Sequence, residues 1–278
     1  MYCQFYGLKE RPFNVTSDPA FFFLSRKHKE ALSHLLYGVS QRKGLIVLTG
    51  EIGTGKTTLC RFFLNQLSKN VKTAFILNPS FSDIELLEAI VNDFGVSAKD
   101  NSRLGLLWEL NKFLLRESEA TNNVVLIIDE SQNLKARLLE QIRLLSNLET
   151  EKDKLLQVIL VGQPELNRKL NLYDLRQLRQ RIMVRFHITP LELDEIKSYI
   201  IHRLNIAGAA NRIQFSDEAI KVISDFSGGT PRLINMACDR ALLAGFVAES
   251  NVIDLGIINK CVEELDSYFV GGVFEHNI

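Results

Sequence analysis

The sequence lacks long apolar runs, an excess of charge of either sign and paired cysteines. Its apolar stretches fall far short of the ~18 residues that a membrane helix needs, so no direct membrane span is expected. The 33 basic and 33 acidic residues balance, which argues against nucleic-acid binding over the whole surface but leaves a local basic patch open. Cys3, Cys60, Cys238 and Cys261 form no C-x-x-C pair, and we expect reduced thiols in a cytosolic protein.

What remains is the composition of an ordinary globular protein. Of the 278 residues, 46% are hydrophobic and 24% are charged, which excludes a disordered or fibrous chain. The length predicts one large domain or two small ones. No apolar segment follows a basic start at the N-terminus, so we expect no secretory signal and a cytoplasmic location.

Short β-branched runs alternate with helical stretches up to about residue 188, which predicts a parallel sheet covered by helices. The predicted strands are 45–49, 73–77, 124–129, 157–162 and 184–188, and the predicted helices between them are 56–68, 83–94, 104–117 and 135–148. After residue 191 only helical periodicity is convincing. We therefore predict an α/β domain over 1–190, with an N-terminal segment at 1–43, a small all-helical domain over 191–270 and a flexible tail at 271–278.

A glycine-rich segment follows the first predicted strand and opens a helix, the context that G-x-x-x-x-G-K-[ST] requires. Its residues are Gly50, Glu51, Ile52, Gly53, Thr54, Gly55, Lys56, Thr57 and Thr58. The glycines let successive backbone N–H groups face phosphates, and the helix N-terminus adds its dipole. Lys56 is expected to reach the β- and γ-phosphates and the Thr57 hydroxyl to bind Mg²⁺. The segment predicts a nucleotide-binding site with Mg²⁺, and the nucleotide is ATP by the resemblance given below.

Two acids end the third predicted strand. Asp129 and Glu130 follow the apolar run at 124–128, and ligands bind at the carboxyl edge of parallel sheets. We expect Asp129 to hold Mg²⁺ through its water and Glu130 to polarise the attacking water as general base. The second acid favours hydrolysis over nucleotide binding alone.

Two amides follow neighbouring strands. Gln163 ends the fourth predicted strand and is a candidate for contacting the γ-phosphate or orienting the water, although a turn residue ahead of Pro164 is nearly as good an interpretation. Asn78 ends the second predicted strand and is a candidate for holding Glu130 away from water, against the alternative of an ordinary Asn-Pro turn.

Arginines cluster just before the last predicted strand. Arg176, Arg179, Arg181 and Arg185 have no acid after them until Glu192. Uncompensated positive charge is costly unless an anion approaches, and the candidates are the γ-phosphate of a neighbouring subunit or nucleic acid. A solvated face is the alternative for any single arginine.

Another arginine opens a helix of the predicted helical domain. Arg232 follows Thr230-Pro231 and is a candidate for reaching the phosphates and reporting nucleotide state. The alternative is an ion pair with an acid such as Asp239 or Glu218.

Together these motifs resemble those of the AAA+ ATPases. The resemblance makes 50–57 the Walker A motif, Asp129 and Glu130 the Walker B motif, Gln163 sensor 1 and Arg232 sensor 2. By position Arg181 is the arginine finger, with Arg179 the second choice. It implies a P-loop NTPase fold, with a five-stranded parallel sheet between helices followed by a helical lid. It also implies self-association into an ATP-dependent ring, commonly a hexamer.

A narrower resemblance covers nearly the whole chain. It is carried by Phe5-Tyr-Gly-Leu-Lys-Glu-Arg-Pro-Phe13, Asp18-Pro-Ala-Phe-Phe-Phe-Leu-Ser25, Val161-Gly-Gln-Pro-Glu-Leu166 and Tyr199-Ile-Ile-His-Arg-Leu204, among others. The set resembles the ATPase component A family of general secretion (ExeA-like) and its relatives in mannose-sensitive haemagglutinin pilus biogenesis. It implies an assembly or energy-coupling ATPase of a type II secretion or type IV pilus system. The expected location is the cytoplasm or, through an inner-membrane partner, the membrane surface.

A DNA-associated AAA+ regulator of the transposition-ATPase type is the alternative function. Such proteins share the P-loop, Walker B motif and lid arginine. The neutral net charge disfavours a DNA-binding ring, while the arginine cluster keeps the alternative open.

Overall fold

The structure is a computed structural model that describes residues 1–16, 18–150, 153–209 and 212–270. The chain divides into two compact units. An α/β unit comprises Arg26–Ile52 and Lys56–Thr189. A helical unit comprises Met1–Ser25, Gly53–Gly55 and the chain from Pro190 onward. The predicted tail at 271–278 lies outside the described residues.

The α/β unit contains a five-stranded parallel sheet in the order β2-β3-β4-β1-β5. The strands are β1 Leu45–Gly50, β2 Val71–Ile76, β3 Asn123–Ile128, β4 Gln157–Gly162 and β5 Ile182–Ile188. Every residue of β1 and β4 is buried, because these strands are central and covered on both faces. The edge strand β5 alternates half-buried with exposed residues until its last position.

Helices cover both faces of this sheet. They are α2 Arg26–Ser40, α3 Lys56–Gln66, α4 Asp83–Asp93, α5 Arg103–Glu119, α6 Ala136–Leu145, α7 Pro164–Leu170 and α8 Arg176–Gln180. Leu45 and Val47 of β1 pack into a core with α4, α5 and α6. Ile46, between them, points to the opposite face and approaches Gly38 of α2.

The five predicted strands and the four predicted helices all form, with bounds that differ by up to three residues from those expected. The P-loop fold class with a five-stranded parallel sheet is therefore confirmed.

The helical unit is built on helices of the C-terminal part of the chain. They are α9 Leu193–Ile206, α10 Asp217–Ser227, α11 Pro231–Val247 and α12 Leu255–Val270, and a short helix α1 Tyr2–Tyr6 joins them. The unit was expected to be all-helical, but β6 Gln214–Phe215 and β7 Val252–Ile253 form a two-stranded parallel sheet. Two residues per strand are too few for periodicity to reveal them.

The N-terminal segment differs from its expected place. The sequence predicts 1–43 as part of the α/β domain, but Met1–Ser25 belongs to the helical unit. The Tyr6 hydroxyl donates to the carbonyls of Leu242 (3.2 Å) and Ser250 (3.1 Å). Burial raises the pKa of Tyr6 to about 12. Phe13 is 1% exposed and meets Phe215 edge to face.

Candidate active site

The glycine-rich loop connects β1 to α3, as the motif requires. Gly53 (φ 80°) and Gly55 (φ 89°) adopt left-handed backbone, which glycine tolerates without the strain that a Cβ would add. Helix α3 begins at Lys56, so the backbone N–H groups of its first turn have no partner within the helix and favour an anion. This backbone fits a phosphate group.

Lys56 is buried at the start of α3, with 6% of its surface exposed. Its Nζ donates to the carbonyls of Gly50 (2.8 Å) and Glu51 (2.9 Å). Burial lowers its pKa, while the charges of Glu130, Asp129 and Glu51 act in the opposite direction. An ammonium group has three donors, and so it can bond an anion beside these carbonyls.

Thr57 and Asp129 bring two oxygen atoms together. The Thr57 hydroxyl donates to Asp129 Oδ2. Asp129 is 1% exposed just after β3, and burial raises its pKa, opposed by the hydrogen bonds from Thr57 and from the backbone N–H of Glu130. A hydroxyl and a carboxylate oxygen in contact are the hard ligands that Mg²⁺ prefers, so the pair fits the predicted metal site.

Glu130 adopts left-handed backbone (φ 51°), which is uncommon for a residue with a side chain and clusters at functional sites. Its backbone N–H donates to Asp129 Oδ1 at 2.8 Å. Its half-buried carboxylate accepts from the amides of Gln132 and Gln163, the latter at 3.3 Å. Glu130 therefore lies next to Asp129, with its side chain held by two amide donors.

The two predicted amides have different surroundings. Gln163 follows β4 and donates to Glu130. The predicted role of Gln163 on the reacting water requires such a position beside Glu130. Asn78 (φ 48°) follows β2 and accepts from Asn133 Nδ2 at 3.4 Å. Among the hydrogen bonds of the described residues, Glu130 pairs with Gln132 and Gln163 rather than with Asn78. Gln132 also contacts Glu130 and carries no sequence signal beyond its position two residues after Glu130.

Arg181 lies at the amino ends of the parallel strands, whereas Lys56 follows the carboxyl end of β1. It is exposed and precedes β5, whose Ile182 pairs with Leu45 at the start of β1. Strand β1 reaches the loop only after six residues, about 20 Å at ~3.3 Å per residue. The side chain of Arg181 therefore cannot reach Lys56 of its own chain.

Basic residues surround Arg181, and two of them are ion-paired, Arg143 with Glu140 and Lys154 with Glu149. Arg181 lines a cavity of about 580 Å³ together with Lys43, Arg143 and Lys154. Arg179, the second choice for the finger, is exposed on α8 and donates to the carbonyl of Asn171 at 3.4 Å.

Two further arginines of the cluster have ordinary surroundings. Arg176 stacks on the Tyr173 ring at 4.3 Å, and Arg185 lies on the exposed face of β5.

Arg232 is exposed in the first turn of α11. Within the helical unit its backbone N–H donates to the Gly53 carbonyl at 3.3 Å. Asp239, the alternative ion-pair partner, accepts instead from the Tyr2 hydroxyl at 2.5 Å.

The rest of the described chain adds one further observation. No helix in the described ranges has the length and hydropathy needed to span a bilayer.

Comparison with known proteins shows what the chain is similar to. Residues 39–170 match a family model described as an AAA domain. The chain is 44% identical over 274 residues to General secretion pathway protein A of Aeromonas hydrophila. That match covers 98% of this chain and 49% of the relative, so the chain spans about half the relative's length.

Two further matches are more distant. The Holliday junction branch migration complex subunit RuvB of Mesomycoplasma hyopneumoniae (strain 7448) is 25% identical over 255 residues, which are 89% of this chain and 67% of that protein. The solved structure of the ORC2 protein of Aeropyrum pernix has a TM-score of 0.67 at 18% identity and covers 92% of this chain and 72% of that one. At this identity the structural match shows the fold alone.

Proposed function

From the AAA domain at residues 39–170, and from the charged groups gathered around its glycine-rich loop, we propose that this chain hydrolyses ATP to ADP and phosphate. The observation that carries the proposal is the convergence of Lys56, Thr57, Asp129 and Glu130 at the carboxyl edge of the sheet. A protein that only binds nucleotide has no need of the second acid.

Each residue has a role that follows from its position. The loop N–H groups and Lys56 bind the β- and γ-phosphates, and Thr57 and Asp129 hold Mg²⁺. The Mg²⁺ ion, when bound, neutralises charge on the phosphate oxygens. Glu130 accepts a proton from the attacking water, and Gln163 lies beside it to orient that water.

Two arginines complete the proposed machinery. Arg181 acts in trans on the nucleotide of a neighbouring copy, because it lies about 20 Å from its own loop. Arg232 acts as the lid sensor, which its hydrogen bond to Gly53 within the helical unit supports. The proposal therefore includes ATP-dependent self-association into a ring, hexamer-like in number.

The ring serves, we propose, the assembly of a type II secretion or type IV pilus machine of the mannose-sensitive haemagglutinin kind. The 44% identity with General secretion pathway protein A over nearly the whole chain supports this role. The proposed location is the cytoplasm, at the inner membrane through a partner protein.

A DNA-associated ATPase is the second candidate. The relative named as a Holliday junction branch migration subunit and the exposed Arg179, Arg181 and Arg185 favour it. The chain is only 25% identical to this relative but 44% identical to General secretion pathway protein A, so we rank the secretion role above the DNA-associated one.

Steady-state ATP hydrolysis, measured against protein concentration with and without duplex DNA, tests both candidates. We expect Mg²⁺-dependent hydrolysis whose specific activity rises with concentration and ignores DNA. Strong stimulation by DNA that weakens as salt rises would favour the second candidate. Glu130→Gln should bind ATP and lose most turnover, and wild-type turnover in that variant would remove Glu130 from the mechanism.

A further inference from the structure

We propose that Gln132 is a positioning residue for hydrolysis, which ties the Glu130 carboxylate to the end of β4 so that Glu130 stays aimed at the attacking water. This inference rests on the proposed ATP hydrolysis and adds one residue to its machinery. Gln132 is half-buried in the turn that follows the two acids.

The Gln132 side chain is bonded at both ends. Its Nε2 donates to Glu130 Oε2, and its Oε1 accepts from the backbone N–H of Gln163 at 3.1 Å. An amide has one donor end and one acceptor end, so these two contacts fix which way it faces. The carboxylate of Glu130 is therefore connected, through one side chain, to the backbone that ends β4.

The end of β4 leaves room for this amide. A Cβ built on Gly162 would lie 2.9 Å from Gln132 Oε1 and 3.0 Å from Leu166 Cδ2. A side chain at 162 would therefore push either Gln132 or Leu166 aside, and glycine is the residue that lets the amide approach the strand.

The backbone of the turn is also held in place. Lys169 on α7 donates through Nζ to the carbonyls of Gln132 (2.5 Å) and Leu134 (2.8 Å). The Ser131 hydroxyl donates to the Ile128 carbonyl at 2.7 Å. Because the turn is anchored on both sides, the Gln132 amide is a fixed support for Glu130 rather than a freely rotating neighbour.

The support matters because a general base must stay within hydrogen-bond reach of the water that it activates. Misplacing a reacting group by about 1 Å costs ~100-fold in rate. Gln163 should still donate to Glu130 when Gln132 is changed, so we expect kcat to fall by less than that, about tenfold. Among the hydrogen bonds of the described residues, those of Gln132 go to Glu130, Gln163 and Lys169 rather than to Lys56 or Thr57, so KM for ATP should stay within about twofold.

Gln132→Glu and Gln132→Met separate this role from a structural one. Glutamate keeps an acceptor for the Gln163 N–H but repels Glu130, whereas methionine keeps the volume and loses both bonds. We expect both variants to lose kcat, and glutamate to lose at least as much as methionine. Gln66→Glu and Gln66→Met, made on the exposed end of α3, carry the same chemical changes and should hydrolyse ATP like the wild type.

Double variants that carry Glu130→Gln together with Gln132→Met or Gln132→Glu test whether Gln132 acts through Glu130. Adding Gln132→Met to Glu130→Gln should lower kcat little further, because coupled residues are not additive. Wild-type kcat in Gln132→Glu would overturn the inference, and so would a full additional loss in the double variant. If Glu130→Gln is inactive while Gln132→Glu is fully active, only the inference fails. Absence of hydrolysis by the wild-type chain would refute the proposed function as well.

Discussion

Replacing Arg203 by methionine should release the N-terminal segment from the helical unit. Arg203 is 6% exposed on α9 and donates through Nε to the Pro12 carbonyl (2.5 Å) and through its terminal nitrogens to the Asn14 carbonyl (3.1 Å) and the Tyr199 hydroxyl (3.0 Å). Its guanidinium also stacks on the ring of Phe21 at 5.0 Å. One side chain therefore holds three points of the segment.

The magnitude follows from these contacts. A hydrogen bond from a charged donor contributes about 1.5–3 kcal/mol, so three of them set an upper bound of roughly 4.5–9 kcal/mol. The cost of burying the guanidinium opposes this gain, and methionine refills part of the volume. We expect Arg203→Met to lower the local stability of the helical unit by about 3–5 kcal/mol, because the Pro12 and Asn14 carbonyls and the Tyr199 hydroxyl each lose a buried partner at about 1–3 kcal/mol.

Hydrogen exchange followed segment by segment measures this loss. A change of about 3–5 kcal/mol corresponds to amide exchange that is faster by roughly a hundredfold to a few thousandfold. The faster exchange should be confined to Met1–Ser25 and α9, with the strands of the α/β unit unchanged.

Arg240→Met is the matched control. Arg240 pairs with Glu264 at 2.6 Å, and their side chains are 44% and 55% exposed, so its loss should cost no more than ~1 kcal/mol. Equal effects of the two variants, or unchanged exchange in the N-terminal segment of Arg203→Met, would refute the reasoning.

Three further predictions concern other parts of the chain. Asp129→Asn should raise the free energy of unfolding in Mg²⁺-free buffer at neutral pH, because asparagine fills the buried position without a charge. Burial raises the Asp129 pKa, so the wild type is fully stable below the unfolded-state pKa of about 4 and loses stability as the carboxyl ionises at higher pH. The melting temperatures of the two proteins should therefore converge below about pH 4. Gly245→Ala should cost about 1–3 kcal/mol in a urea titration, because the new Cβ would lie 2.5 Å from the Tyr6 hydroxyl, and Tyr6→Phe should cost less in that background than alone. Arg181→Ala should bind ATP but lose turnover, and mixing it with Lys56→Ala should restore part of it; no recovery at any ratio would argue against action in trans.

The parts of the fold that depend on a short sequence pattern were predictable. Runs of apolar residues identify β1 and β4 because both faces of these strands are buried, and the glycine-rich motif identifies the loop because only that spacing turns the backbone towards a helix start. The positions of Asp129, Glu130 and Gln163 followed from one rule, that parallel strands end at a common edge.

The place of the N-terminal segment was not predictable by such rules. Arg203 and Pro12 are 191 residues apart in sequence, and no periodicity connects them. The narrower resemblance rested partly on Phe5-Tyr-Gly-Leu-Lys-Glu-Arg-Pro-Phe13 and Tyr199-Ile-Ile-His-Arg-Leu204, and the structure shows these stretches bonded to each other. A sequence without an alignment offers no signal that two such stretches meet.

The Asn78 hypothesis shows a different limit. Sequence position placed Asn78 at the same sheet edge as Glu130, which is right, but the edge holds several amides and the choice among them depends on side-chain direction. Gln132 bonds to Glu130 and also to the backbone that ends β4, an arrangement that depends on three-dimensional packing around Gly162.

Lys56 and Arg181 lie near opposite ends of the parallel strands, and their separation determines which kind of assembly the proposed activity requires. Lys56 and Arg181 lie at opposite ends of β1, about 20 Å apart, so one copy cannot join both to a single nucleotide. A head-to-tail contact, which brings the arginine edge of one copy to the loop edge of the next, closes into a ring when its rotation permits. In a mixed assembly of Lys56→Ala and Arg181→Ala, a contact has both groups only when a Lys56→Ala copy supplies Arg181 and an Arg181→Ala copy supplies Lys56. If this geometry is right, recovered turnover should peak near equal mixing and never approach that of the wild type.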